Sequence, residues 1–210
     1  MSIYTLFGDY RSGNCYKVAL FLSVSGTPYE YRHEDFLAPR DQRSEDFQAS
    51  SRFGELPVLL DGDTAMCQSN SILCFLSNRT IRFNFSEYAH RQEVMEWLFW
   101  EANNIGYSVS NLRFKTKFSS NSNEIVLADL RSRATRDLDR FEQELSIKSF
   151  LVGDTPSIAD LSICAYLYWL EDTGLDVGRW PHIKAWLDKI SELPGWFHPD
   201  QMPRENTTFE

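Results

Sequence analysis

Tyr10-Arg11-Ser12-Gly13-Asn14-Cys15-Tyr16-Lys17-Val18 places a hydroxyl three residues ahead of a cysteine, at the junction of a strand and a helix. The strand-like run Ser2 to Phe7 precedes it. From Cys15 onward, Val18, Ala19 and Leu22 follow at offsets of three, four and seven, the spacing of one apolar helix face. Ser12 is a natural N-cap for that helix. A side chain there sits beside unpaired backbone N–H groups and the positive end of a helix dipole, where a thiolate or another anion is favoured. The position suits sulfur chemistry, and Ser12 is its candidate centre.

Working outward, the first ~80 residues alternate strand and helix signals at the spacing of α/β units. Gly26-Thr27-Pro28 punctuates the chain, and Tyr29 to His33 alternates as a second strand. A charged stretch from Ala38 to Arg52 holds a short helix around Ser44–Ala49. Leu56 to Leu60, Asp61-Gly62 and Thr64 to Cys67 then read as a hairpin. Gln68-Ser69-Asn70-Ser71 opens an apolar helix with Ser69 as its N-cap, so the order is β-α-β-α-β-β-α. The spacing predicts only helices from Tyr88 on: Arg91–Tyr107, Glu124–Leu145, Ser157–Glu171 and Pro181–Leu193. Residues 79–87 read as a linker between an α/β domain at 1–78 and an all-helical domain at 88–210. The polar tail from His198 to Glu210 is expected to pack little.

Composition narrows the partners. A formal charge of −9 over 210 residues argues against nucleic acid, whose phosphates need a basic face. No apolar stretch reaches the ~20 residues of a membrane span, and the chain opens on a strand-like run without a basic–apolar signal segment. The expectation is a soluble, cytoplasmic protein without membrane partners. Cys67, Cys74 and Cys164 lie in apolar runs and read as small buried hydrophobes. The four histidines are too scattered for a metal site, so no metal is expected. Ser157-Ile158-Ala159-Asp160 has the spacing of a capping box, which makes Asp160 structural rather than half of a catalytic pair.

Together these motifs resemble the cytosolic glutathione transferase family: Ser12-Gly13-Asn14-Cys15, Gly54-Glu55-Leu56-Pro57-Val58-Leu59, Gln68-Ser69-Asn70-Ser71-Ile72, Gly153-Asp154-Thr155-Pro156-Ser157-Ile158-Ala159-Asp160, and Pro181-His182-Ile183-Lys184-Ala185-Trp186. The serine at the first helix is most similar to the theta-like and related bacterial branches. The resemblance implies an N-terminal thioredoxin-like domain, a C-terminal all-α domain, glutathione as co-substrate, and a homodimeric detoxifying enzyme that conjugates glutathione to a small electrophile. It implies glutathione contacts from Ser12, Gln42, Arg43, Glu55, Leu56, Pro57, Gln68 and Ser69. A cis Leu56–Pro57 bond would let Leu56 offer its N–H and C=O to the peptide. Ser69 would hold the γ-glutamyl carboxylate, a role compatible with capping. Gln68 stands where the family more often has an acid facing the ammonium; it accepts a hydrogen bond without the charge. Gln42 and Arg43 fall where related enzymes meet the glycine carboxylate, although Arg43 also reads as a charge on a solvated loop.

The implied chemistry has Ser12 donating to the glutathione sulfur and holding it as thiolate, with Tyr10 as an alternative donor. Cys15 occupies the register of a resolving cysteine, so a structural and a redox reading both stand. Tyr10, Asn103, Asn104, Tyr107, Asn111 and Phe114 are candidates to line an electrophile pocket. Two other functions stay open: glutathione-dependent disulfide or peroxide reduction, and a non-catalytic binding protein on the same fold.

Overall fold

The computed structural model describes residues 3–209. They form two compact units, residues 3–82 with 193–209, and residues 83–192. The expected strand start at Ser2 lies outside the described residues.

In the first unit the strands are β1 (Tyr4–Gly8), β2 (Tyr29–His33), β3 (Val58–Asp61), β4 (Thr64–Cys67) and β5 (Thr207–Phe209), in the order β4-β3-β1-β2-β5. Only β1 and β2 run parallel; β3 on β1, β4 on β3 and β5 on β2 are antiparallel. The Asp61–Gly62 step turns β3 into β4 with Asp61 opposite Thr64, as expected of that dipeptide. Helices α1 (Gly13–Ser25) and α3 (Ser69–Thr80) pack together, while α2 (Glu45–Ser50) sets Phe47 against Phe7 and Val58. Leu6 and Phe7, both buried, point to opposite faces of a central strand covered on each side. This is a thioredoxin-like domain.

Helix α1 is more enclosed than its one-faced apolar pattern suggests. Every residue from Cys15 to Leu22 is buried, Lys17 included. A helix buried all round carries no polar stripe, which is why periodicity understated its burial. It ends at Gly26, whose φ of 66° is the left-handed conformation glycine adopts at least cost, with Gly26 and Thr27 donating to the Leu22 and Ser23 carbonyls.

The second unit holds α4 (Tyr88–Asn103), α5 (Ile105–Lys117), α6 (Glu124–Leu145), α7 (Ile158–Leu167) and α8 (Pro181–Ser191). The helix expected to run unbroken to Tyr107 instead breaks at Asn104 (φ −118°, ψ −95°), and a separate helix continues to Lys117. The Asn103-Asn104 pair has low helix propensity, and both carboxamides turn back onto α4 carbonyls at Phe99 and Trp100. On α6 the buried positions Leu130, Ala134, Leu138, Phe141 and Leu145 follow helical spacing. Phe141 meets Trp97, Trp100 and Trp186 at ring-centroid distances of 5.9, 6.1 and 5.2 Å. The Ser157–Asp160 capping box is present, and Asp160 is fully buried. Its carboxylate accepts from Ser157 N (2.9 Å), Ser157 Oγ (3.0 Å), Leu151 N (3.1 Å) and Trp186 Nε1 (2.9 Å). Among the described residues no helix is long and apolar enough to cross a membrane.

The tail departs most from expectation. Residues 193–209 belong to the α/β unit and not to the helical one. Tyr16 Oη donates to the Phe197 carbonyl (2.6 Å), Ser23 Oγ donates to the Gly195 carbonyl (2.5 Å), and Met202 is buried. Tyr29 and Phe209 stack at 4.7 Å across the β2–β5 ladder. Polar, proline-containing sequence hid this packing because it is made largely by backbone groups, which composition does not report.

Candidate functional site

Sheet register brings the N-terminal site together. Phe7, Val58 and Cys67 lie side by side on β1, β3 and β4. One residue beyond them stand Gly8, Pro57 and Gln68, at the same end of the sheet. The Leu56–Pro57 peptide bond is cis. Gln68 takes a φ of 70° and leads directly into α3.

Ser12 is the N-cap of α1, extended at φ −97° and ψ 118°, and its Oγ accepts from the Cys15 N–H at 3.3 Å. Its own proton is a donor, directed in this structure toward the Cys15 sulfur. No acidic residue occupies the first turn of α1, although the buried Asp9 carboxylate of the preceding loop works against an anion nearby. Cys15 is buried, and its Sγ accepts from the Asp9 N–H at 3.3 Å. Burial pushes its thiol up to about 12, despite the hydrogen bonds from Ser12 and Asp9 that favour the anion. A sulfur so placed is a poor nucleophile at neutral pH.

Asp9 organises the loop that presents Ser12. It is fully buried and accepts from Arg11 N (2.8 Å), Nε (2.9 Å) and Nη2 (2.6 Å) and from Phe36 N (2.9 Å). Its carbonyl accepts from the Ser12 N–H at 3.0 Å. The Asp9 carboxylate in turn holds the Arg11 guanidinium protonated well beyond its ordinary range, with help from Asp35. At Asp35 burial disfavours the charge, but the Leu37 N–H and Arg11 outweigh it and hold the carboxyl below its usual range.

The start of α3 approaches the start of α1. Ser69 Oγ donates to Asn14 Oδ1 at 3.3 Å, joining the second residue of one helix to the first of the other. The N-cap of α3 is Gln68 and not Ser69, which is already the first helical residue, and the Gln68 side chain makes no capping bond. Its Nε2 donates instead to Glu55 Oε2 at 3.1 Å, so a carboxylate stands beside the neutral amide. A cleft of about 570 Å³ opens there, lined by Arg52, Phe53, Met66, Cys67, Gln68 and Ser71 among others.

The other sequence candidates fall into two groups. Arg43 is drawn into its own loop: Nη2 donates to the Phe36 (3.0 Å) and Ala38 (3.4 Å) carbonyls and Nη1 to that of Gly54 (3.2 Å), with the guanidinium over the Phe47 ring. It braces the α2 segment, while Gln42 before it is exposed. In the helical unit Tyr107, Asn111 and Phe114 recur at offsets of four and three on α5, with Tyr107 and Phe114 exposed. The Asn111 carboxamide donates to the Tyr107 carbonyl (2.7 Å).

Residues 6–80 match the model of the glutathione S-transferase N-terminal domain, and residues 105–194 match that of its C-terminal domain. The chain belongs to the glutathione S-transferase family. A glutathione S-transferase structure from Pseudomonas fluorescens is 35% identical, covers 94% of this chain and 99% of its own, and superposes with a TM-score of 0.87. Glutathione S-transferase F10 of Arabidopsis thaliana is 27% identical over 195 residues, 86% of this chain and 88% of its own length. The Disulfide-bond oxidoreductase YghU of Escherichia coli is 26% identical over 186 residues, 83% of this chain and 64% of its own.

Within this glutathione S-transferase fold, sequence reading missed Asp9, Arg11 and Asn14 around the site. Asp9 carried a signal: an acid three residues before an N-cap, followed by arginine at i+2, can fold back on the loop's own donors. Asn14 carried none, because its partner is 55 residues away.

Proposed function

We propose that this protein is a glutathione S-transferase that joins the glutathione sulfur to small electrophiles, with Ser12 as the catalytic residue. The observation that carries the reading is the Ser12 hydroxyl, held at the mouth of α1 with its oxygen fixed by the Cys15 N–H; bound glutathione sulfur takes the hydrogen bond that Ser12 otherwise offers the Cys15 sulfur. Glutathione lies along the sheet end, its cysteine backbone on Leu56 beside cis-Pro57, and its γ-glutamyl carboxylate at the α3 N-terminus on Ser69. Gln68 and Glu55 receive the ammonium, and Glu55 supplies the charge Gln68 lacks. Gln42 and Arg43 flank the glycine end, with Arg43 acting through the loop it braces. Tyr10, Asn103, Asn104, Tyr107, Asn111 and Phe114 are the proposed electrophile contacts.

A free thiol titrates near ~8.5, so only a few per cent is ionised at neutral pH. Lowering that by two units takes ~2.7 kcal/mol of preference for the anion. One hydroxyl hydrogen bond to charged sulfur together with a helix N-terminus is of that size. The thiol proton passes to solvent, the thiolate attacks the electrophilic carbon, a carbon–sulfur bond forms, and with an aryl halide the halide leaves with its electron pair. Ser12 stabilises and does not itself attack.

The similarity to a disulfide-bond oxidoreductase favours a second reading, reduction of disulfides by bound glutathione. Buried Cys15, with its thiol pushed up to about 12, is then a bystander, and the bound thiolate does the attacking. A branch of the theta-like serine type, a cytoplasmic setting, a detoxifying role and a homodimer complete the proposal; Phe53, Tyr88 and Phe99 expose large apolar side chains that a second copy would cover. The test is glutathione binding by calorimetry, then turnover of chlorodinitrobenzene and of a small disulfide. Binding with chlorodinitrobenzene turnover supports conjugation, disulfide turnover alone supports the second reading, and a protein that ignores glutathione refutes both.

A further inference from the structure

The tail that joins the α/β unit delivers one cation to the loop that carries Ser12. Its course is fixed at several independent points. Gly195 lies against α1, where a Cβ would come within 2.7 Å of the Ser23 carbonyl oxygen, so only glycine fits. Phe197 is held by Tyr16, Met202 is buried, and the His33 N–H donates to Asn206 Oδ1 at 2.9 Å. Thr207 to Phe209 then pair with Tyr31 to Tyr29.

Between Met202 and Asn206, anchored on both sides, stands Arg204. Its guanidinium carbon lies 5.2 Å from the centre of the Tyr10 ring, and the side chain is exposed. Tyr10, two residues before Ser12, also meets His33 at 5.6 Å, and the Arg11 guanidinium carbon lies 5.1 Å from its ring. The two arginines differ in what they have left to offer. Arg11 is committed to Asp9 and Asp35. Among the described residues Arg204 has no carboxylate within ion-pair distance, and its guanidinium meets only the Tyr10 ring, which takes up none of its N–H donors.

The geometry points to Arg204 as a specificity-determining residue: with the rings of Tyr10 and His33 it forms a subsite for a flat, conjugated or aromatic electrophile bearing a carboxylate or sulfonate. The planar guanidinium binds such an anion through paired N–H donors, and the rings supply the apolar floor. Arg204 touches the substrate's remote charge and not the reacting atoms. This assignment rests on the conjugation reading for its substrate, but not for its test.

Chloronitrobenzoate, which carries a carboxylate where chlorodinitrobenzene has a nitro group, is the probe. Calorimetry measures its binding to the full chain, in the presence of S-methylglutathione, for wild type, Arg204→Gln and Arg204→Glu. Arg204 is exposed and makes no buried contact, so both variants fold; circular dichroism and melting confirm it. The expected result is about tenfold weaker binding in Arg204→Gln, weaker still in Arg204→Glu, with the salt dependence of the wild type lost. Chlorodinitrobenzene kcat/KM stays unchanged in both. Equal affinity for the benzoate in all three proteins, or an equal fall for the neutral substrate, overturns the assignment. A wild type that turns over neither electrophile and binds no glutathione refutes the conjugation reading alone; benzoate affinity still decides Arg204.

Discussion

Replacing Ser12 with alanine separates two roles that one oxygen plays. As N-cap, Ser12 accepts from the Cys15 N–H at 3.3 Å, and losing a serine cap costs ~1 kcal/mol of stability. As donor, its proton meets the bound sulfur, and a hydrogen bond to a charged group contributes about 1.5–3 kcal/mol. At 1.36 kcal/mol per unit, that second loss raises the bound thiol by roughly one to two pK units, from ~6.5 toward ~8.5. At pH 7 the ionised fraction then falls from about three quarters to between about a quarter and a few per cent, partly offset because a more basic thiolate is a better nucleophile. Conjugation should therefore drop about tenfold at pH 7 and recover most of that loss by pH 9. Glutathione affinity should hardly change. Ser12→Gly distinguishes the roles: glycine caps within a few tenths of a kcal/mol of serine, so stability returns while activity does not. The assays are the pH profile of kcat/KM, ultraviolet absorbance of the bound thiolate, and urea denaturation of the three proteins. A profile in Ser12→Ala that overlies the wild type would refute the role of Ser12, whatever happens to stability.

Three further outcomes follow from the geometry. Because burial raises the Cys15 thiol to about 12 while the unfolded thiol ionises near 9.0, the folded state holds the proton longer; stability should be full below pH 9 and fall by a few kcal/mol as pH rises toward 12. Alkaline unfolding shows this, its slope between pH 9 and 10 becoming shallower in Cys15→Ala while Cys74 and the buried tyrosines, also raised by burial, keep the remainder, and iodoacetamide at pH 8 should leave native Cys15 unmodified. Asp160→Asn should destabilise by about 3 kcal/mol in urea melts and Asp160→Ala by more, because the carboxamide keeps one accepting oxygen for two of the four donors while its N–H₂ faces the others. Asn14→Ala frees the Ser69 hydroxyl and should weaken glutathione binding about threefold to tenfold with kcat nearly unchanged; calorimetry on Asn14→Ala, Ser69→Ala and the double variant should find the two losses non-additive.

Much of the site was legible because its residues act through local backbone. Ser12 caps the helix it begins, Ser157 and Asp160 form a box within four residues, and Asp61-Gly62 turns the chain on itself. Such signals need only neighbours in sequence. The hardest residues to read are those whose partners are distant. Arg43 looked like a loop charge because a row of letters does not show three carbonyls converging on one guanidinium. The α4 break at Asn104 hid inside a continuous helical period, since both carboxamides compete with the helix for its own carbonyls.

Periodicity, turn chemistry and caps thus determined the two-part architecture, the α/β order of the first half and the position of Ser12 at a helix mouth. Tertiary structure alone decided that Asp9 holds the Ser12 loop, that Asn14 reaches Ser69, that Glu55 stands beside Gln68 and that the tail returns to bring Arg204 over Tyr10. The physical reason is range: capping and hydrophobic period act over a few residues, while buried carboxylates and sheet edges find their partners only after the chain has closed on itself.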